Sequence, residues 1–101
     1  MESTAALMRY GGHSAHALRE YWRAALRQMR EATGAPSGAD RAELLAWLDR
    51  VGASRGVSVR AHTIDEAVRA AARSGKGDTL ADAARRVHAF REKMLSGAEG
   101  P

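Results

Sequence analysis

His13, His16 and Glu20 stand three and four residues apart, so one helical face would carry two imidazoles and a carboxylate. Such a set suits zinc or nickel. Arg19 and Arg23 flank the trio and repel a dication, and no fourth ligand is in view, so no metal site is expected. Arg19, Arg23, Arg27 and Arg30 are the stronger signal. Their spacing gathers them within an arc of roughly 80° on a helix, opposite a stripe of Leu18, Tyr21, Trp22, Ala25, Met29 and Ala32. One side should pack on protein, and the other should meet water or an acidic partner. Phosphates are a further match for such a face, but Glu20 and Glu31 interrupt it and its neighbouring aromatics point the other way, where they could not stack on bases. Arg91 falls inside the apolar stripe of the last helix, between Val87 and Leu95, and needs water or an acid from another helix at its head. That end of the helix is a second candidate for a partner surface.

Other constellations do not lead to chemistry. Gly75-Lys76-Gly77-Asp78-Thr79 has the wrong residue order for a phosphate loop and no strand before it, so it reads as a turn between helices. No serine has a histidine and a carboxylate at readable spacing, and no carboxylate pair stands in an apolar setting. The segment from Leu44 to Ala72 is a poor helix-turn-helix, because its turn is long and its second helix offers Asp65, Glu66 and Arg69. Neither catalytic residues nor a cofactor are expected, and the chain reads as a non-enzyme.

Composition sets the frame that must position the arginines. A chain of 101 residues has room for one modest core. Nearly half of its apolar residues are alanines, which pack closely but bury little area each. The net charge of +4 comes almost wholly from fourteen arginines against two lysines. Arginine offers fork-shaped contacts to carboxylates and phosphates, although an Arg- and Ala-rich composition also follows from GC-rich codon usage. The chain lacks cysteine, which excludes disulfides and thiolate sites. The opening MESTAALM has no basic-then-apolar pattern of a signal peptide, and no apolar run approaches the roughly 20 residues of a membrane span. A cytoplasmic domain is expected.

Four helices are readable. The first runs from about Ser3 to Thr33, is weakest at Gly11-Gly12 and ends on Gly34. Asp40 with Glu43 makes a capping box for the second, which presents Leu44, Trp47, Leu48 and Val51 and ends near Gly52 to Gly56. Val57 to His62 reads as an extended connector whose valines close over the core, since a lone strand is not stable. Thr63-Ile64-Asp65-Glu66 reads as a second capping box, with Thr63 as N-cap and Ile64, Val68 and Ala71 inward. Asp78 or Thr79 starts the fourth helix, which runs to about Leu95 with Leu80, Ala83, Ala84, Val87, Phe90 and Met94 inward. The fold expected is all-α, a compact bundle of four to five helices with the first longest, both tryptophans buried, residues 1–96 forming one domain and 97–101 a disordered tail.

Two segments carry a resemblance: Tyr10-Gly11-Gly12-His13-Ser14-Ala15-His16-Ala17-Leu18-Arg19-Glu20-Tyr21-Trp22-Arg23, and Ala84-Arg85-Arg86-Val87-His88-Ala89-Phe90-Arg91-Glu92-Lys93-Met94. The chain resembles the helical C-terminal cytoplasmic region of a family of bacterial membrane proteins of unknown function, the DUF4350-type family, encoded beside MoxR-type AAA+ ATPases. That resemblance implies a helical module at the cytoplasmic membrane face, with a MoxR-type ATPase system as a candidate partner. Basic charge beside a membrane helix fits this setting. The sequence therefore reads as a non-catalytic interaction or scaffold module. Its candidate contact residues are Arg19, Arg23, Arg27, Arg30 and Arg91, and its partner is an acidic protein surface or an anionic membrane face. The alternative is a small basic nucleic-acid-binding protein.

Overall fold

Leu18, Trp22, Ala25, Leu26 and Met29 recur at helical spacing, and burying that stripe organises the molecule. The computed structural model describes residues 14–97, in which the chain forms four helices and no strand. These are α1 (Ser14–Thr33), α2 (Arg41–Ser54), α3 (Ala61–Ser74) and α4 (Gly77–Gly97). The all-α bundle is as the sequence predicts. The first helix is not the longest among the described residues: α4 has 21 residues and α1 has 20. Residues 1–13, which include His13 and the weak point expected at Gly11-Gly12, lie outside the described residues, as does the tail from 98 to 101.

The core lies where α1, α3 and α4 pack on one another, with α2 laid against α3 and α1. Trp22 is its largest member, 2% exposed, with its indole tilted against the Phe90 ring at 6.3 Å between centroids. Leu80, Ala83, Ala84, Val87, Phe90 and Met94 of α4 are all buried, as are Ile64, Val68 and Ala71 of α3. The α1 stripe differs from expectation at two places. Leu26 is buried and Ala32 is exposed, because the last turn of α1 runs past the core.

The buried side of α2 is rotated too. Leu44, Leu45, Leu48 and Gly52 face inward, so Trp47 and Val51 lie at the margin and are only half-buried. Trp47 instead ties the α1 end to α2. Its Nε1–H donates to the Thr33 hydroxyl (2.9 Å), Thr33 donates to the Met29 carbonyl (2.8 Å), and the Arg50 guanidinium stands 5.9 Å from the ring centre.

The ends of the helices show which sequence signals act. Gly34 adopts φ 70° and Ala35 N–H donates to Arg30 O (3.1 Å), a Schellman end for α1. Both halves of the Asp40–Glu43 capping box form. The Thr63 box does not form. The third helix begins at Ala61, three residues early, and its N-cap Arg60 makes no side-chain cap. Asp49 of α2 caps it from outside, accepting the Ala61 N–H on Oδ1 and the His62 Nδ1–H on Oδ2, with Arg60 3.7 Å away. Since Ala61 is fully buried, packing pulls the helix start toward α2. The connector is therefore shorter than expected. Val57 packs against the core, but Val59 is exposed. The fourth helix starts at Gly77 and reaches Gly97, wider at both ends than the sequence suggested.

Candidate functional site: an arginine face over a buried carboxylate

Asp65 is buried, 5% exposed, in the middle of α3's apolar side between Ala61, Val68 and Ala72. A carboxylate there costs several kcal/mol in lost hydration unless donors replace the water. Three groups do so. Trp22 Nε1–H donates to Oδ1 from inside the core (2.9 Å), Arg41 Nη1 donates to the same oxygen (3.1 Å), and Arg69 Nε lies 3.0 Å from Oδ2. Arg41 opens α2 and Arg69 is one turn along α3 from Asp65, so this carboxylate joins α1, α2 and α3. Trp22 is pinned by one hydrogen bond on its edge and by Phe90 beyond it.

Two clefts flank this hub. One, of about 180 Å³, is lined by Arg19, Arg23, Arg41 and Arg69 around Trp22 and Asp65. The other, of about 330 Å³, is lined by Arg23, Arg27, Arg30 and Arg41 with Leu26 and Leu44 as its apolar part. Arg23 and Arg41 line both, so six arginines from three helices form one continuous face. Arg19 and Arg27 make no ion pair or hydrogen bond among the described residues. Arg23 is held by Glu20 one turn away (3.0 Å).

The sequence placed four of these six residues. It expected their heads to be exposed, which holds for Arg19, Arg23 and Arg27 but not for Arg30. Arg30 is half-buried, its Nη2 donates to Ala39 O (3.0 Å) across the α1–α2 loop, and its Nε has no partner among the described residues. The cause is geometric. At about 100° per residue, the arginine arc begins only about 20° beyond buried Leu26, so it borders the core and does not oppose it.

Arg91 is not part of this face. Its Nε donates to Gln28 Oε1 of α1 and its Nη1 to Glu92 (3.1 Å). It lines a different groove, between α1 and α4, of about 480 Å³, with Tyr21, Gln28, His88 and Glu92. There the Tyr21 hydroxyl lies 3.5 Å from His88 Nδ1. An arginine in an apolar stripe is thus accommodated by reaching across to a neighbouring helix.

His16 is exposed and Glu20 is engaged by Arg23, while His13 lies outside the described residues. Among the described residues no three His, Asp or Glu gather closely enough to hold a metal. No helix of the described residues is long and apolar enough to cross a membrane. Compared with known protein families, with curated proteins and with solved structures, the chain matches none.

Proposed function

We propose that this domain is a non-catalytic interaction module that docks through its arginine face onto an acidic surface of a partner protein. The observation that carries the reading is the convergence of Arg19, Arg23, Arg27 and Arg30 of α1 with Arg41 of α2 and Arg69 of α3 around two abutting clefts. Arginine is suited to this task because its planar fork pairs with carboxylates in a fixed geometry. A concave, charged surface fits a protruding acidic segment better than a flat bilayer does. Val59 is the one large apolar side chain exposed among the described residues, so those residues offer a bilayer little hydrophobic anchorage. Among the described residues no fully exposed aromatic accompanies the arginines, so these residues offer single-stranded bases no open stacking platform. The resemblance to the cytoplasmic region of DUF4350-type membrane proteins supplies the proposed setting, the cytoplasmic membrane face, and a MoxR-type ATPase system as the candidate partner.

The test compares three probes at low and physiological salt: an Asp/Glu-rich peptide, vesicles of anionic or neutral lipid, and a short DNA duplex. The proposal expects the peptide to bind best. It also expects the triple variant Arg19→Gln, Arg23→Gln, Arg27→Gln to lose that binding. A triple variant that binds the peptide as the parent does would contradict it. Preference for anionic vesicles would move the function to the membrane surface itself, and tight, steeply salt-dependent duplex binding would favour the nucleic-acid alternative.

A further inference from the structure

Within the arginine face, the cleft between α1 and α2 has a property that general docking does not require. Arg23, Arg27 and Arg30 approach it from successive turns of α1, and Arg41 approaches from the first residue of α2. Each guanidinium has five N–H donors. Arg41 uses Nη1 on Asp65, Arg23 uses Nη1 on Glu20, Arg30 uses Nη2 on Ala39 O, and Arg27 uses none among the described residues. Most of the donors around the cleft are therefore unspent. One of them, Arg30 Nε–H, is buried and has no partner among the described residues. Buried donors are nearly always satisfied, and Arg30 itself lines the cleft, so a turn of its guanidinium toward an anion held there would give the orphan an acceptor.

We propose that this cleft is a binding site for a phosphate monoester dianion. A carboxylate presents two oxygens in one plane and a single charge. Asp65 shows how few arginines that satisfies, taking Arg41 on one oxygen and Arg69 on the other. Donors arriving from two helices on different sides instead match a tetrahedral group with three accepting oxygens and close to two charges. Glu20 and Asp65 engage Arg23 and Arg41, but among the described residues no carboxylate pairs with Arg27 or Arg30, so these two bring uncompensated charge to the cleft. Leu26 and Leu44 line the same cleft and lower the local polarity, which strengthens charge-assisted hydrogen bonds. The site refines the docking reading to one ligand group, yet it needs no partner protein to be tested.

The experiment titrates the whole chain with inorganic phosphate and with phenyl phosphate, following the arginine Nε–H resonances by NMR, beside acetate at matched ionic strength. Saturable binding is expected, with the Arg30 Nε–H signal among those that move. Arg27→Gln, an exposed position, should weaken binding roughly tenfold, as should Arg30→Lys, which keeps the charge and loses the fork. Arg86→Gln, on α4 and paired with Asp82, should leave it unchanged. Vesicles of phosphatidic acid against phosphatidylglycerol separate the sources. Selective binding to the monoester lipid assigns a headgroup, whereas phosphate binding without it assigns a free phosphorylated ligand. Non-saturating shifts, equal response to acetate, an immobile Arg30 Nε–H, or equal weakening by Arg86→Gln would overturn the proposal. If phosphate fails while the acidic peptide still binds, this site alone falls and the docking reading stands.

Discussion

Removing the Asp65 carboxylate would leave Trp22 Nε1–H buried without an acceptor and would free Arg41 and Arg69 from their shared counter-ion. The indole term dominates, because the two guanidiniums retain water on their outer sides while Trp22 does not. Asp65→Ala is expected to destabilise by about 2–4 kcal/mol in urea denaturation. Asp65→Asn, which keeps an acceptor for the indole, should cost clearly less, and equal losses would mean that charge and not the Trp22 bond is what matters. Trp22→Ala should cost about 3–5 kcal/mol as a core truncation. Trp47→Ala should cost less, since that ring is half-buried and covered by Arg50. Asp65 was legible in principle. It lies on the same helical side as Ala61, Val68 and Ala72, where an acid demands partners, but the apparent Thr63 capping box explained its presence without burial. Trp22 was placed correctly because Leu18, Ala25 and Met29 share its face, whereas Trp47 sits at the edge of an arc that Leu45 and Gly52 complete.

Helix starts separate local signals from tertiary ones. The Asp40–Glu43 box operates as the sequence indicates, because every group it needs lies within four residues. The α3 start depends on Asp49, twelve residues away from Ala61, and no spacing rule reveals a cap supplied by another helix. Thr63→Ala should therefore change stability by less than about 0.5 kcal/mol. Asp49→Ala should cost about 1–2 kcal/mol, the range for loss of an N-cap, with the effect read from the denaturation midpoint. The reverse ranking would restore Thr63 as the cap. A second tertiary tie, Arg55 Nη1 donating to Met94 O (3.0 Å), fastens the end of α2 to the last turn of α4. On α1 the periodicity identified both stripes, yet it missed that Leu26 carries the core up to the arginines. The result is a half-buried Arg30 and a cleft where a fully solvated ridge was expected.

Across the whole molecule, the arginines gather on one side more than the sequence alone could show, because Arg41 and Arg69 join α1's four only once the helices pack. Exposed charges contribute little to stability, so the Arg19→Gln, Arg23→Gln, Arg27→Gln variant should keep its denaturation midpoint while losing its acidic partner. Separation of those two effects distinguishes a contact surface from a structural one. The most direct measurement is a titration of the isotopically labelled chain with an Asp/Glu-rich peptide, mapping backbone amide shifts residue by residue. The docking reading predicts perturbations confined to Arg19–Arg30 of α1, the first turn of α2 around Arg41, and the turn of α3 that bears Arg69. Shifts centred on the α1–α4 groove around His88 and Arg91, or none above those of an uncharged peptide, would contradict it.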